Sequence, residues 1–290
     1  MNKNMKKILS GKVRDVYEVN DKELVIVTTD RISAFDVILN STIKNKGIAL
    51  NQLSLYWFDY TSDIISNHII SSKISDMPAY FSENAEEIEK RTVLVKKLKM
   101  LPYEFIVRGY MFGSLWKEYK SSGGYCGQKM QGQYELAQKL DNPIITPSAK
   151  NAEGHDENIS IDRLREEIGS ATADELCQIS LSLYEKCYQY ALDKGIIIAD
   201  TKFEFGYDEN GRLTLGDEIF TPDSSRFWAA EDYRIGVSPK SYDKQFVRDW
   251  LIKNKLNGVT PAPELPEDIT MKTAALYKDC YCKITGKDEY

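Results

Sequence analysis

Only two histidines, His68 and His155, occur in 290 residues, too few for a histidine-rich metal site or a His-Glu-x-x-His protease helix. The five cysteines (Cys126, Cys177, Cys187, Cys280 and Cys282) are odd in number, scattered and without a Cys-x-x-Cys pair. That pattern fits free thiols in a reducing compartment better than a disulfide framework or a zinc site, and Cys280-x-Cys282 reads as part of a C-terminal helix. No Gly-x-x-x-x-Gly-Lys-Ser/Thr loop and no Gly-x-Gly-x-x-Gly is present, so any nucleotide is bound without a P-loop or a Rossmann turn. No apolar run approaches a membrane-spanning length, and Met1 to Ser10 lacks the apolar stretch of a secretory signal, so a cytoplasmic location is expected. Positive charge is also in short supply: 38 Lys and Arg against 44 Asp and Glu leave a net charge of −6. A broad basic surface for nucleic acid or anionic membrane is therefore not expected.

What is present is a globular composition, with 42% hydrophobic and 28% charged residues. Lys12 to Val19 and Glu23 to Thr28 flank Asn20-Asp21-Lys22 and read as a β-hairpin, followed by a strand near 35–39. Leu50, Leu53, Trp57 and Ile64 recur at helical spacing. Strands follow at Thr92 to Lys96 and Phe105 to Arg108, then a short helix capped by Ser114 and ended by Gly123-Gly124. A long polar loop is expected to about Ile159. Thr172-Ala-Asp-Glu175 has the form of a capping box for a helix stopped by Gly195, and Ile196 to Asp200 reads as a buried strand. Helices are expected from Ser241 and from about Thr270, separated by a strap containing Pro261, Pro263 and Pro266. Strands early and helices late argue for an α+β fold.

The chemistry concentrates on one acidic hairpin. Along a strand Asp200, Lys202 and Glu204 share one face, while Phe203, Phe205 and Tyr207 share the other. A two-residue loop at Asn210-Gly211 would pair Glu204 with Asp217 and set two carboxylates side by side, where a divalent cation relieves their repulsion. A register one residue different would match Phe205 with Leu215 and Tyr207 with Leu213, and would favour burial instead. A solvated charged face on an edge hairpin is the plainer alternative. Beyond it, Thr221-Pro-Asp-Ser-Ser-Arg226 and Arg108-Gly-Tyr-Met-Phe-Gly-Ser114 each place an arginine among hydroxyls or glycines, chemistry suited to phosphate or carboxylate. Lys12 and Arg14 on the early hairpin are candidates for covering nucleotide phosphates.

In order along the chain, GKVRDVYEV, TDRISAFD, NQLSLYWF, VRGYMFGSLWKEY, TPSAK, HDENIS, ADTKFEFG and GDEIFTPDSSRFW resemble the SAICAR synthetase family, in its longer branch. The resemblance implies a fold related to ATP-grasp and protein-kinase catalytic domains. Residues 1–100 are expected to form an antiparallel β subdomain covering ATP, and residues 101–290 an α+β subdomain with the substrate and metal site. The implied reaction joins L-aspartate to the carboxylate of carboxyaminoimidazole ribonucleotide with ATP and Mg²⁺, in a monomer or homodimer, with neither nucleic acid nor membrane as partner. Carried onto matching positions, Glu204 and Asp217 would be metal ligands. Arg108, Ser114, Lys202 and Arg226 would bind the ribonucleotide, with Ser33 and Asp36 bordering the substrate site. Lys202, Asp200 and Arg226 would serve the chemistry, and Lys12, Arg14 and Lys150 would contact the nucleotide. The family resemblance leaves open the roles of His155 and Asp156, because the spacing after Lys150 departs from many longer-branch members.

Overall fold

A computed structural model of the protein describes residues 5–35, 37–151, 156–242 and 244–290; Asp36 and His155 lie outside them. A five-stranded antiparallel sheet takes, in spatial order, Lys6–Ser10, Arg14–Glu18, Glu23–Thr28, Thr92–Lys96 and Ile69–Ser71. The helix Lys46–Tyr60 buries Leu50, Leu53 and Trp57 as their spacing predicts, whereas Ile64 lies beyond its end. Asp30 accepts hydrogen bonds from the amides of Gly47 (2.8 Å) and Asn45 (3.3 Å), supplying acceptors for the helix's otherwise unpaired first N–H groups. The strand expected near 35–39 is Val37–Thr42, paired with Arg31–Ala34 in a separate two-stranded sheet.

The second sheet has seven strands organised around Ile196–Tyr207, a single twelve-residue strand rather than the short one expected. Its ladder partners are Tyr103–Tyr110, Lys99–Met100, Ser225–Ala229 and Leu213–Gly216. Outside Tyr103–Tyr110 runs Lys139–Ala149, an eleven-residue strand in the stretch expected to be loop. Pro143 and Pro147 hide it in the sequence. Pro143 falls where the ladder to Tyr103–Tyr110 is irregular, and on the outer side the described residues supply only the two-residue strand Glu157–Asn158, so the missing N–H groups are tolerated.

The helix Ser170–Asp193 lies on this sheet, burying Leu176, Leu183, Tyr184 and Cys187 in one core with Phe105, Val107, Ile198, Phe203 and Phe205. It starts at Ser170, so Thr172 lies inside its first turn and the expected capping box does not form; Gly169 at φ +86° separates it from Ile161–Ile168, which Ser160 caps by accepting from Arg163 N at 3.1 Å. The last helices are Gln245–Lys253 and Glu267–Thr285, the second starting directly after Pro266. Both starts differ by a few residues from the expected ones, in positions where proline and polar residues blur the pattern.

Candidate active site

The acidic hairpin takes the register of hydrophobic matching: Phe205 faces Leu215, Tyr207 faces Leu213, and Glu204 faces Gly216. The pairing of Glu204 with Asp217 expected from a two-residue Asn210-Gly211 loop is therefore corrected. Asp208 explains the difference. Its backbone N–H donates to Arg212 O (3.0 Å), and its carboxylate accepts from the amides of Asn210 (2.9 Å) and Arg212 (3.0 Å), closing a three-residue loop with Gly211 at φ +73°. That is the geometry of a turn followed by a left-handed glycine.

The two carboxylates nevertheless meet. The strand ends at Gly216, and Asp217 turns into the left-handed region at φ +59°. Lys202 Nζ then donates to Glu204 Oε1 at 2.6 Å and to Asp217 Oδ2 at 2.7 Å, with Glu104 Oε1 at 3.6 Å. From the N-terminal sheet Arg14 reaches Asp217 (Nη1 to Oδ1, 2.5 Å) and Glu218 (Nη2 to Oε1, 3.6 Å), and Lys150 donates to Glu204. Burial works against charge on Asp217, Lys202 and Glu104 alike. Asp217 sits well below the usual carboxylate range because Arg14 and Lys202 outweigh its desolvation. Lys202 is correspondingly held well above the usual lysine range by Asp217, Glu204 and Glu104. For Glu104 burial wins over the attraction of Lys202, and nearby Glu204 adds repulsion, so its carboxyl is pushed up.

Two residues earlier on the same face, Asp200 stands between two arginines that are its direct ladder partners, Arg108 on one neighbouring strand and Arg226 on the other. Arg226 donates to Asp200 Oδ2, and Arg108 Nη1 lies 3.5 Å from the same oxygen. Arg108 is buried and fixed further by Thr146 Oγ1 (2.8 Å), Ser114 Oγ (3.0 Å) and Tyr125 OH (3.4 Å). Ser114 thus accepts from Arg108; the helix Gly113–Ser122 begins one residue before it and has no side-chain cap. Gly113, at φ +62°, leaves room for Arg226, whose guanidinium a Cβ would meet at 2.8 Å. A cleft of about 250 Å³ opens over Glu104, Ile106, Arg108, Asp200, Lys202 and Arg226. Through Ser114 and Arg226 it shares a wall with one of about 660 Å³ that is also lined by Lys117 and Arg248.

Asp200, Lys202, Glu204, Asp217, Arg108, Ser114, Arg226, Arg14 and Lys150 are thus gathered around one face of the central sheet. Lys12 is exposed in the turn before Arg14, and Ser33 is buried on the separate two-stranded sheet. Sequence reasoning missed Glu104, although its alternation with Ile106 and Arg108 along Tyr103–Tyr110 puts all three on the cleft side. It also missed the wholly buried Lys46, which donates to Asp223 Oδ2 at 2.7 Å while Tyr277 OH donates to Oδ1 at 2.7 Å. No local pattern signals a pair formed across 177 positions of chain. Among the described residues no three His, Cys, Asp or Glu side chains cluster as a metal cage, and no helix is long and apolar enough to cross a membrane.

Residues 7–264 match the family model described as SAICAR synthetase. The phosphoribosylaminoimidazole-succinocarboxamide synthase of Maridesulfovibrio salexigens is 49% identical over 99% of the chain and 96% of its own length; that of Lachnospira eligens is 50% identical over 97% and 95%. Among solved structures, the SAICAR synthase of Saccharomyces cerevisiae complexed with SAICAR superposes with a TM-score of 0.92 at 45% identity, covering 98% of this chain and 96% of that one.

Proposed function

The chain belongs to the SAICAR synthetase family, and on that premise we propose how its acidic hairpin and flanking arginines divide the work of an ATP-dependent ligation. The reaction joins L-aspartate to the carboxylate of carboxyaminoimidazole ribonucleotide, with ATP as co-substrate, giving SAICAR, ADP and phosphate in purine biosynthesis. The observation that carries the residue assignment is the convergence of Glu204 and Asp217 on Lys202, beside an Asp200 held between Arg108 and Arg226.

A carboxylate is a poor acyl donor until its oxygen becomes a good leaving group. In the proposed sequence the ribonucleotide carboxylate attacks the γ-phosphorus of ATP, releasing ADP and leaving an acyl phosphate. The aspartate amine then attacks the acyl carbon, phosphate departs, and an amide remains. Such steps depend on alignment and charge neutralisation more than on covalent help from the protein. Arg108, Ser114 and Arg226 bind the anionic groups of the ribonucleotide, and Lys202 places positive charge between them and the transferring phosphoryl group. Lys12, Arg14 and Lys150 attend the nucleotide phosphates. In this reading residues 1–100 cover ATP and residues 101–290 supply the rest of the site; Ser33 and Asp36 border the substrates.

Glu204 and Asp217 fit magnesium: two carboxylate oxygens already converge on one cation, and Mg²⁺ typically takes one or two protein carboxylates, completing its shell with phosphate and water. When bound, the ion neutralises the phosphate charge and aligns the transferring group. The test is incubation with ATP, Mg²⁺ and the ribonucleotide, with and without aspartate, following the succinocarboxamide by absorbance or mass. ADP formed equally without aspartate would indicate a kinase. Glu204→Gln is expected to lose most turnover and to need more Mg²⁺; near-normal turnover with unchanged Mg²⁺ dependence would reject the metal assignment.

A further inference from the structure

Against Asp217, between the N-terminal sheet and the helix Lys46–Tyr60, lies a small cavity that Lys202 does not line. Its polar lining includes Arg14, Asn51, Ser54, His68, Asp217 and Glu218, set among apolar residues such as Ile26, Leu50 and Val93. Its volume of about 20 Å³ is that of a single water position. His68 is buried, and its Nε2 has no hydrogen-bond partner among the described residues. A buried polar nitrogen left without a partner is costly, so native structures supply one.

His68 also sits where three parts of the fold cross. Its N–H donates to Leu215 O at 3.0 Å, its carbonyl accepts from Lys96 N at 2.8 Å, and its ring packs on Phe58 at 5.3 Å between centroids. Leu215 N in turn donates to Ser66 O at 2.9 Å, so residues 66–68 bind the end of the strand that delivers Asp217. Two residues after Leu215 the chain enters the left-handed region at Asp217, a conformation uncommon for non-glycine residues, though aspartate adopts it more readily than most. The backbone bonds explain how the strand end is held. At the turn itself the Asp217 carboxylate meets Arg14 and Lys202, Ser54 Oγ accepts from Ile219 N at 3.2 Å, and the ring of His68 lies against the Asp217 backbone.

We propose that His68 is a positioning residue for Asp217, acting through one bound water that joins His68 Nε2 to the polar groups at Asp217 and Glu218 and so keeps the Asp217 carboxylate turned toward Lys202. The consequence for turnover rests on the reading of Asp217 as a metal ligand; the water and the conformation of Asp217 do not.

The experiment compares the wild-type protein with His68→Leu and His68→Gln, by high-resolution crystallography and by initial rates titrated with Mg²⁺ at saturating substrates. The expected result is ordered water density within hydrogen-bonding distance of His68 Nε2 in the wild type, and its loss with a displaced Asp217 in His68→Leu. The Mg²⁺ concentration for half-maximal rate should rise roughly tenfold in His68→Leu, the size of one lost net hydrogen bond, with a smaller change in maximal rate. His68→Gln, whose amide reaches toward the same cavity, should recover most of it. A wild-type cavity without water, or Asp217 unmoved in His68→Leu, overturns the proposal, as does a fall in maximal rate at constant Mg²⁺ requirement in both variants. If Asp217 moves but Mg²⁺ dependence is unchanged, and Asp217→Asn likewise leaves it unchanged, the positioning role stands and the metal reading fails.

Discussion

Replacing Lys202 with methionine keeps the aliphatic stem and removes the one ammonium on which Glu204 and Asp217 meet. Breaking a buried ion pair by removing one partner costs about 3–5 kcal/mol, because the remaining charge is left uncompensated. Lys202 compensates three carboxylates, which argues for the upper end. Its side chain, however, is 22% exposed, and Arg14 and Lys150 still reach Asp217 and Glu204, so about 3 kcal/mol is the expectation. In a chain of this size that corresponds to a fall in Tm of roughly 6 °C. The pH dependence follows from the same charges. Asp217 has a depressed pKa, so its ion pairing stabilises the fold above the ordinary carboxylate range and is lost as pH falls through its lower folded value. Glu104 has a raised one, so its neutral form contributes below the ordinary value and that contribution disappears as pH rises through the folded value. Without Lys202 both carboxyls bind protons more readily in the folded state. The variant's deficit should therefore be largest at neutral pH and shrink as pH falls through the carboxylate range. Mg²⁺ should raise the variant's Tm more than the wild type's, since a cation binding only the folded state is linked to stability. Thermal unfolding by circular dichroism, with and without Mg²⁺ across pH, measures all three. An unchanged Tm at neutral pH, or a deficit that does not diminish in acid, would refute the electrostatic account.

Gly113→Ala adds a Cβ at a positive φ, against the guanidinium of Arg226. A left-handed conformation costs a non-glycine residue about 1–2 kcal/mol, and the displaced arginine should raise KM for the ribonucleotide roughly tenfold with kcat less affected; steady-state kinetics decide it. Asp15 accepts from Arg31 (2.7 Å), Lys7 (2.8 Å) and Ser10 (2.8 Å), and these bonds overcome its burial to lower its pKa to about 2. Its contribution, roughly 2 kcal/mol, is present above the ordinary carboxylate value and lost as pH falls toward 2. Asp15→Asn should accordingly be less stable at neutral pH and show a flatter acid limb in denaturant titrations; equal acid limbs would exclude Asp15 as the cause.

How much of this was legible in the chain depends on the range over which each signal acts. Alternation along Ile196–Tyr207 placed Asp200, Lys202 and Glu204 on one face and the phenylalanines on the other, because side-chain direction in a strand is fixed by neighbouring residues alone. The sequence leaves the register open, since the Asn-Gly signal and hydrophobic matching point to pairings one residue apart. Matching won because Asp208 caps a three-residue loop, leaving Phe205 and Leu215 paired in the core. Lys139–Ala149 was hidden by its prolines, since their cost depends on whether a neighbour needs the missing N–H, which only the sheet order reveals. Lys46 with Asp223, and Glu104 beside Lys202, come together through strand and helix packing between distant segments. The same reasoning accounts for Asp217. A strict ladder in the observed register would have sent its carboxylate away from Glu204; the left-handed turn after Gly216 reverses that. The hydrophobic register and the acidic cluster are thus compatible only because one residue leaves regular strand geometry, and the conformation of that residue is where a small structural change should have its largest effect on the site.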